Sequence, residues 1–285
     1  MPVSATAVLA MILATAFSAG LSALGVWSRR RLGVDAPSPW WGALAVGLGY
    51  LIGHAGVATP AIPPADVTDR IPLIALVGSG VAALLAGGRR DVWIRVLAYT
   101  GLATLTYVVM LGPVLGSGDF PGETVTWLVG SAVVSVLAAL NVGFLDAPGR
   151  RSETWVGLAA FAFGAGVVLV LSNSAVLFQL GGVLAVALVA SIVGAWGRPV
   201  GGGVPVALGV LTALIVEGFV YAFLPAPSAA ILAASPLVLW LTRLRPIARL
   251  GPRTRAAIAA VLILIPVAVA AALVLASKSD EGYGY

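Results

Sequence analysis

Ten stretches of Ala, Val, Leu and Gly, each near bilayer length and separated by short charged punctuation, govern what this chain can fold into. The hydrocarbon core of a bilayer takes roughly 20 helical residues at about 1.5 Å rise each. The apolar stretches run at about 4–27, 40–58, 71–88, 93–114, 124–145, 154–172, 175–196, 204–224, 228–242 and 256–277. Inside lipid every backbone N–H and C=O must be satisfied within the protein, which leaves helices as the form such segments take. The sequence therefore predicts an all-α, polytopic transmembrane helix bundle of about ten spans with short loops. Residues 1–276 read as a single helical domain, and 277–285 as a short polar, disordered tail.

Composition agrees. The 285 residues are 60% hydrophobic and only 9% charged, with a mean hydropathy of +1.06. A soluble domain carries roughly 25% charged residues. An isoelectric point near 10.1 would suit a nucleic-acid partner, but the basic residues fall in short clusters between spans and form no common face. A lone histidine and the absence of cysteine exclude thiol chemistry and the usual zinc sites, so neither cofactor nor metal is expected.

The charges also predict orientation. With the N-terminus outside, the inner loops carry Arg29, Arg30 and Arg31; Arg89, Arg90 and Arg95; Arg150 and Arg151; Arg198; and Arg243, Arg245, Arg249, Arg253 and Arg255. Fourteen of the sixteen basic residues lie inside, with only Arg70 and Lys278 outside. This bias predicts both termini on the non-cytoplasmic side. The first span lacks a basic residue before its apolar run and is read as retained, not as a cleaved signal. High Ala, Gly and Arg usage with short loops points to the cell's inner membrane. All eight tryptophans lie near predicted span ends and read as interface anchors. The ninth span is short, flanked by Pro225 and Pro227 and interrupted by Pro236, so a re-entrant segment is the alternative to a full crossing. Residues 154–197 hold no charge and fold as a hairpin turning at Ser172-Asn173-Ser174.

Few residues could carry chemistry. Glu217 is the one charged side chain deep within a predicted span. Such groups cost about 2.5–3.5 kcal/mol to insert and by default mark functional sites. Its helix face reads Gly209, Ala213, Glu217, Tyr221, a small-residue stripe able to pack closely and to offer the carboxyl a hydroxyl. His54 lies on a similar face after Ala43, Gly47 and Tyr50. Spans 2 and 8 run the same way, so His54 and Glu217 would meet if those helices are neighbours. The bland alternatives are a carboxyl that fastens two helices and an interfacial imidazole. Gln179 could line the same cavity or bond another helix. Asn141 and Asn173 read as caps or turn formers. Asp66 and Asp69 flank Val67-Thr68 with a metal-diphosphate spacing, but no second acidic cluster supports it. Gly201-Gly202-Gly203 lacks the Lys-Ser/Thr of a phosphate loop.

These residues give no catalytic set. One function class is a small secondary transporter or permease, with a small solute or proton as partner and Glu217 as the coupling carboxylate. The other is a non-catalytic membrane scaffold or a subunit of a membrane complex. A water-accessible Glu217 favours the first and a dry, packed one the second.

Overall fold

The computed structural model describes residues 5–32, 40–85, 92–115, 122–146, 152–196 and 201–281. Among them every regular element is helical. The helices are α1 (Ala5–Leu32), α2 (Trp40–Val57), α3 (Ile71–Leu85), α4 (Val92–Leu115), α5 (Gly122–Asp146), α6 (Ser152–Leu171), α7 (Ala175–Gly194), α8 (Gly203–Tyr221), α9 (Ala226–Ala234), α10 (Arg245–Ala248) and α11 (Pro252–Glu281). The chain is a multi-pass membrane protein of helix-bundle class. Eight helical segments are long and apolar enough to cross a bilayer, while α2 and α3, described over 18 and 15 residues, fall short of that measure. Arg89, Arg90, Arg150, Arg151 and Arg198 lie outside the described residues.

Helix α8 forms the axis, packed by α2, α3, α4, α5, α6, α7 and α9. Lipid supplies no hydrophobic drive between helices, so close van der Waals contact must hold them, and that needs small side chains at the crossings. Helices α1 and α2 illustrate it. Ala10 meets Gly56, Ala14 meets Gly53, and Ser18 meets Gly49 while donating to the Ala45 carbonyl at 2.9 Å. A Cβ at Gly49 or Gly56 would collide with α1, and one at Gly53 would collide with Val183 of α7. At the start of α8, Gly201 and Gly202 take positive φ (71° and 81°), a turn open to residues without a Cβ. Gly42 sits directly on the Gly201 carbonyl. The glycine triplet thus serves backbone packing.

The ninth segment is α9 followed by a 3-10 stretch, Ser235–Arg243, that begins beside Pro236. Nine α-helical and nine 3-10 residues extend about 31 Å, against about 27 Å for 18 α-helical residues. The proline break lengthens this short segment to bilayer thickness. Asn141, expected as a cap or turn former, instead donates from near the C-terminal end of α5 to the Leu237 carbonyl in that stretch at 3.4 Å. The α6–α7 hairpin turns as expected. Asn173 has φ 75° and Ser174 caps α7 by accepting from the Leu177 N–H. Lys278 donates to Asn173 Oδ1 at 2.7 Å, and α11 continues to Glu281, four residues beyond Ser277, into the expected tail. Residues 282–285 lie outside the described residues.

One expectation needs correction at the opposite end of the bundle. Trp155, read as an interface anchor, is fully buried against Gly203. The other tryptophans are exposed or half-buried. Glu153, two residues before Trp155, is also buried, with Arg255 Nε 3.9 Å from its Oε1.

Candidate functional site

The segment between α2 and α3 builds the roof of the site. Asp69 Oδ2 accepts from the backbone N–H groups of Ala65 and Asp66, each at 3.0 Å. Asp66 Oδ1 accepts from the Val67 N–H at 2.6 Å. These donors, the Asp66 N–H first among them, hold the Asp69 carboxyl below the ordinary carboxylate range. Asp66 and Asp69 are thereby loop formers, and no acidic or histidine cluster with metal-ligating geometry occurs among the described residues. The turn leads into a one-turn 3-10 helix, Thr68–Arg70, with Val67 buried beneath it.

Two side chains bolt this roof down. Thr68 Oγ1 donates to Glu217 Oε1 at 2.5 Å. Arg70 Nη1 donates to the Val109 carbonyl of α4 at 2.8 Å. In a regular helix that carbonyl would accept from residue 113, which is a proline and has no N–H. Arg70 supplies the donor that Pro113 cannot.

Below the roof, Glu217 is 6% exposed. Its stripe faces α3 and α4, with Gly209 against Ile74 and Leu102. Tyr50 and His54 are fully buried on α2, their rings 5.8 Å apart and edge-on. Tyr50 lies within electrostatic reach of Glu217. His54 lies near the backbone of Thr68 and Ala58 and within reach of Asp69, yet neither ring nitrogen has a well-formed hydrogen bond. Glu217 Oε2 and Tyr50 Oη are buried without a hydrogen-bond partner, and the His54 nitrogens have only poorly aligned backbone groups of Thr68 and Ala58 beside them. A buried polar atom left unpaired costs about 1–3 kcal/mol, so this group of atoms in one neighbourhood needs a reason.

Helices α2 and α8 pack together, and Thr68 links the two predicted residues, bonding Glu217 through its side chain and lying beside His54 through its backbone. Tyr221 is placed differently from the expectation. It is 38% exposed and donates to the Met110 carbonyl at 3.4 Å, leaving Thr68 as the hydroxyl on the carboxyl. It remains within electrostatic reach of Arg70 and Glu217. Gln179 is half-buried on α7, one turn before Val183, which packs on Gly53 of α2. It belongs to the same end of the bundle, but no hydrogen bond joins it to Glu217 among the described residues. Thr68 and Arg70 are the participants that sequence reasoning missed. Arg70 carried a signal as an exception to the charge pattern; Thr68 carried none.

Comparison of the chain with protein-family models, with curated proteins and with solved structures finds no match.

Proposed function

We propose that this membrane protein is a small secondary transporter in which Glu217 binds the coupling proton and the Thr68–Arg70 turn closes the site on one side. The observation that carries the reading is the group of buried polar atoms without well-formed hydrogen bonds on Glu217, Tyr50 and His54. A carboxyl, a phenol and an imidazole can together receive a proton and a small polar solute. A helix fastener would instead be expected to leave few such atoms unpaired. Thr68 occupies one carboxylate oxygen and leaves the other free, as a closure that must release would do. The arginine pattern supports placing both termini on the non-cytoplasmic side of the cell's inner membrane, which would make this turn an outer gate.

One observation favours the scaffold or subunit reading: 89% of the α8 span is buried, so its neighbours grip the helix closely. Labelling separates the two. The chain has no cysteine, so Ala213→Cys, one turn deeper than Glu217, adds a single thiol to reconstituted vesicles. A membrane-impermeant maleimide should label it, faster when Thr68→Val is added. A thiol that stays unlabelled in both backgrounds, and from both sides of the membrane, contradicts transport.

A further inference from the structure

The segment joining the ninth crossing to α11 has a distinct chemistry. From Trp240 to Arg255 it contains five arginines and no acidic residue. The outer two are used within the protein: Arg243 Nη2 donates to the Leu145 carbonyl at 2.8 Å, and Arg255 faces Glu153. The inner three, Arg245, Arg249 and Arg253, are exposed, and no acidic side chain pairs with them among the described residues. Arg245 and Arg249 stand one helical turn apart across α10, so they share a face. Between and beside them, Trp240 (57%), Leu241 (40%), Leu244 (45%) and Leu250 (41%) are open to the surroundings.

Arginines interleaved with exposed leucines and a tryptophan are ill-suited to water and well suited to the boundary between headgroups and acyl chains. There the apolar side chains enter the acyl region while each guanidinium forms paired hydrogen bonds to a phosphate. A basic cluster immediately beside a transmembrane helix is the sequence form of anionic-lipid recognition. The two anchored arginines hold the ends of the segment to the bundle, so the middle three are presented together.

We infer that residues 240–255 are an interfacial binding segment for anionic phospholipid headgroups, through Arg245, Arg249 and Arg253. The inference stands whether or not the protein transports.

The test is native mass spectrometry of the full chain released from bilayers of phosphatidylcholine containing phosphatidylglycerol. The wild type should retain phosphatidylglycerol in preference to phosphatidylcholine. The combined variant Arg245→Gln, Arg249→Gln, Arg253→Gln should lose that preference by on the order of a hundredfold. The matching triple Lys variant, which keeps the charges, should retain most of it and shows that loss does not come from misfolding. Rising salt should weaken retention in the wild type, because the contact is charged and exposed. Undiminished preference in the Gln variant, or salt-independent retention in the wild type, overturns the inference. Displacement of the lipid by inorganic phosphate would also overturn it, by assigning the arginines to a free anion.

Discussion

Two glutamates are buried near opposite ends of this bundle, and the protein treats them differently. Glu153, at the first turn of α6, is 5% exposed and faces the guanidinium of Arg255. Glu217, near the end of α8, is 6% exposed and faces a threonine hydroxyl, with its second oxygen unpartnered. Position 217 lies about 21 Å along α8 from Gly203, which itself packs on Trp155 beside Glu153. Glu153 has a cation beside it to answer its charge, at 3.9 Å and without a hydrogen bond from Arg255 Nε. Glu217 has only a neutral hydroxyl on its carboxyl, and under the proposed transport reading a proton is what answers its charge. Equal burial therefore says little about role; the partner decides it.

The comparison breaks most cleanly on flux. Glu217→Gln should abolish any pH-driven uptake in reconstituted vesicles carrying an internal pH dye, whereas Glu153→Gln should leave it largely intact. Equal loss in both would erase the distinction. Stability should rank the other way. Glu153→Ala leaves Arg255 without its counter-charge and should cost about 2 kcal/mol in detergent unfolding. That is less than a fully buried pair loses, because Arg255 is 27% exposed on its side chain. Glu217→Gln keeps an oxygen for Thr68 and should cost well under about 1 kcal/mol.

The proposed closure can be sharpened separately. Thr68→Val removes the hydroxyl from Glu217 and should speed maleimide labelling of Ala213→Cys roughly fivefold, equivalent to about 1 kcal/mol. The smallest effect belongs to Asp69. Its carboxyl titrates below the ordinary range when folded, so its contribution is complete above about pH 4 and disappears as pH falls through the folded value. Exchange protection of the Ala65 and Asp66 amides, corrected for intrinsic rates, should fall over that acid range. Asp69→Asn should lower it already at neutral pH.

Much of the scaffold was legible in the sequence because lipid enforces a simple rule, that long apolar runs become helices. The hairpin at Ser172-Asn173-Ser174 and the weak ninth segment were visible in residue type alone, and Pro236 marked the onset of the 3-10 stretch. The candidate site was legible at Glu217, Tyr50 and His54, where polar residues interrupt small-residue faces. The fold brings those three to one end of the α2–α8 contact. Thr68 was not legible, because its role depends on a loop folding back across 149 residues of sequence separation. Trp155 misled for a related reason. It sits where a span end would meet the interface, but its packing on Gly203 draws that end inside.

The central claim is that Glu217 takes up and releases a proton while Glu153 does not serve in that way. Difference infrared spectroscopy of the reconstituted protein across a pH series tests it directly. A protonated-carboxyl stretch that appears and disappears with pH should be present in the wild type and in Glu153→Gln, and absent in Glu217→Gln. A band that survives Glu217→Gln unchanged, or no titrating band in the wild type, would contradict the account.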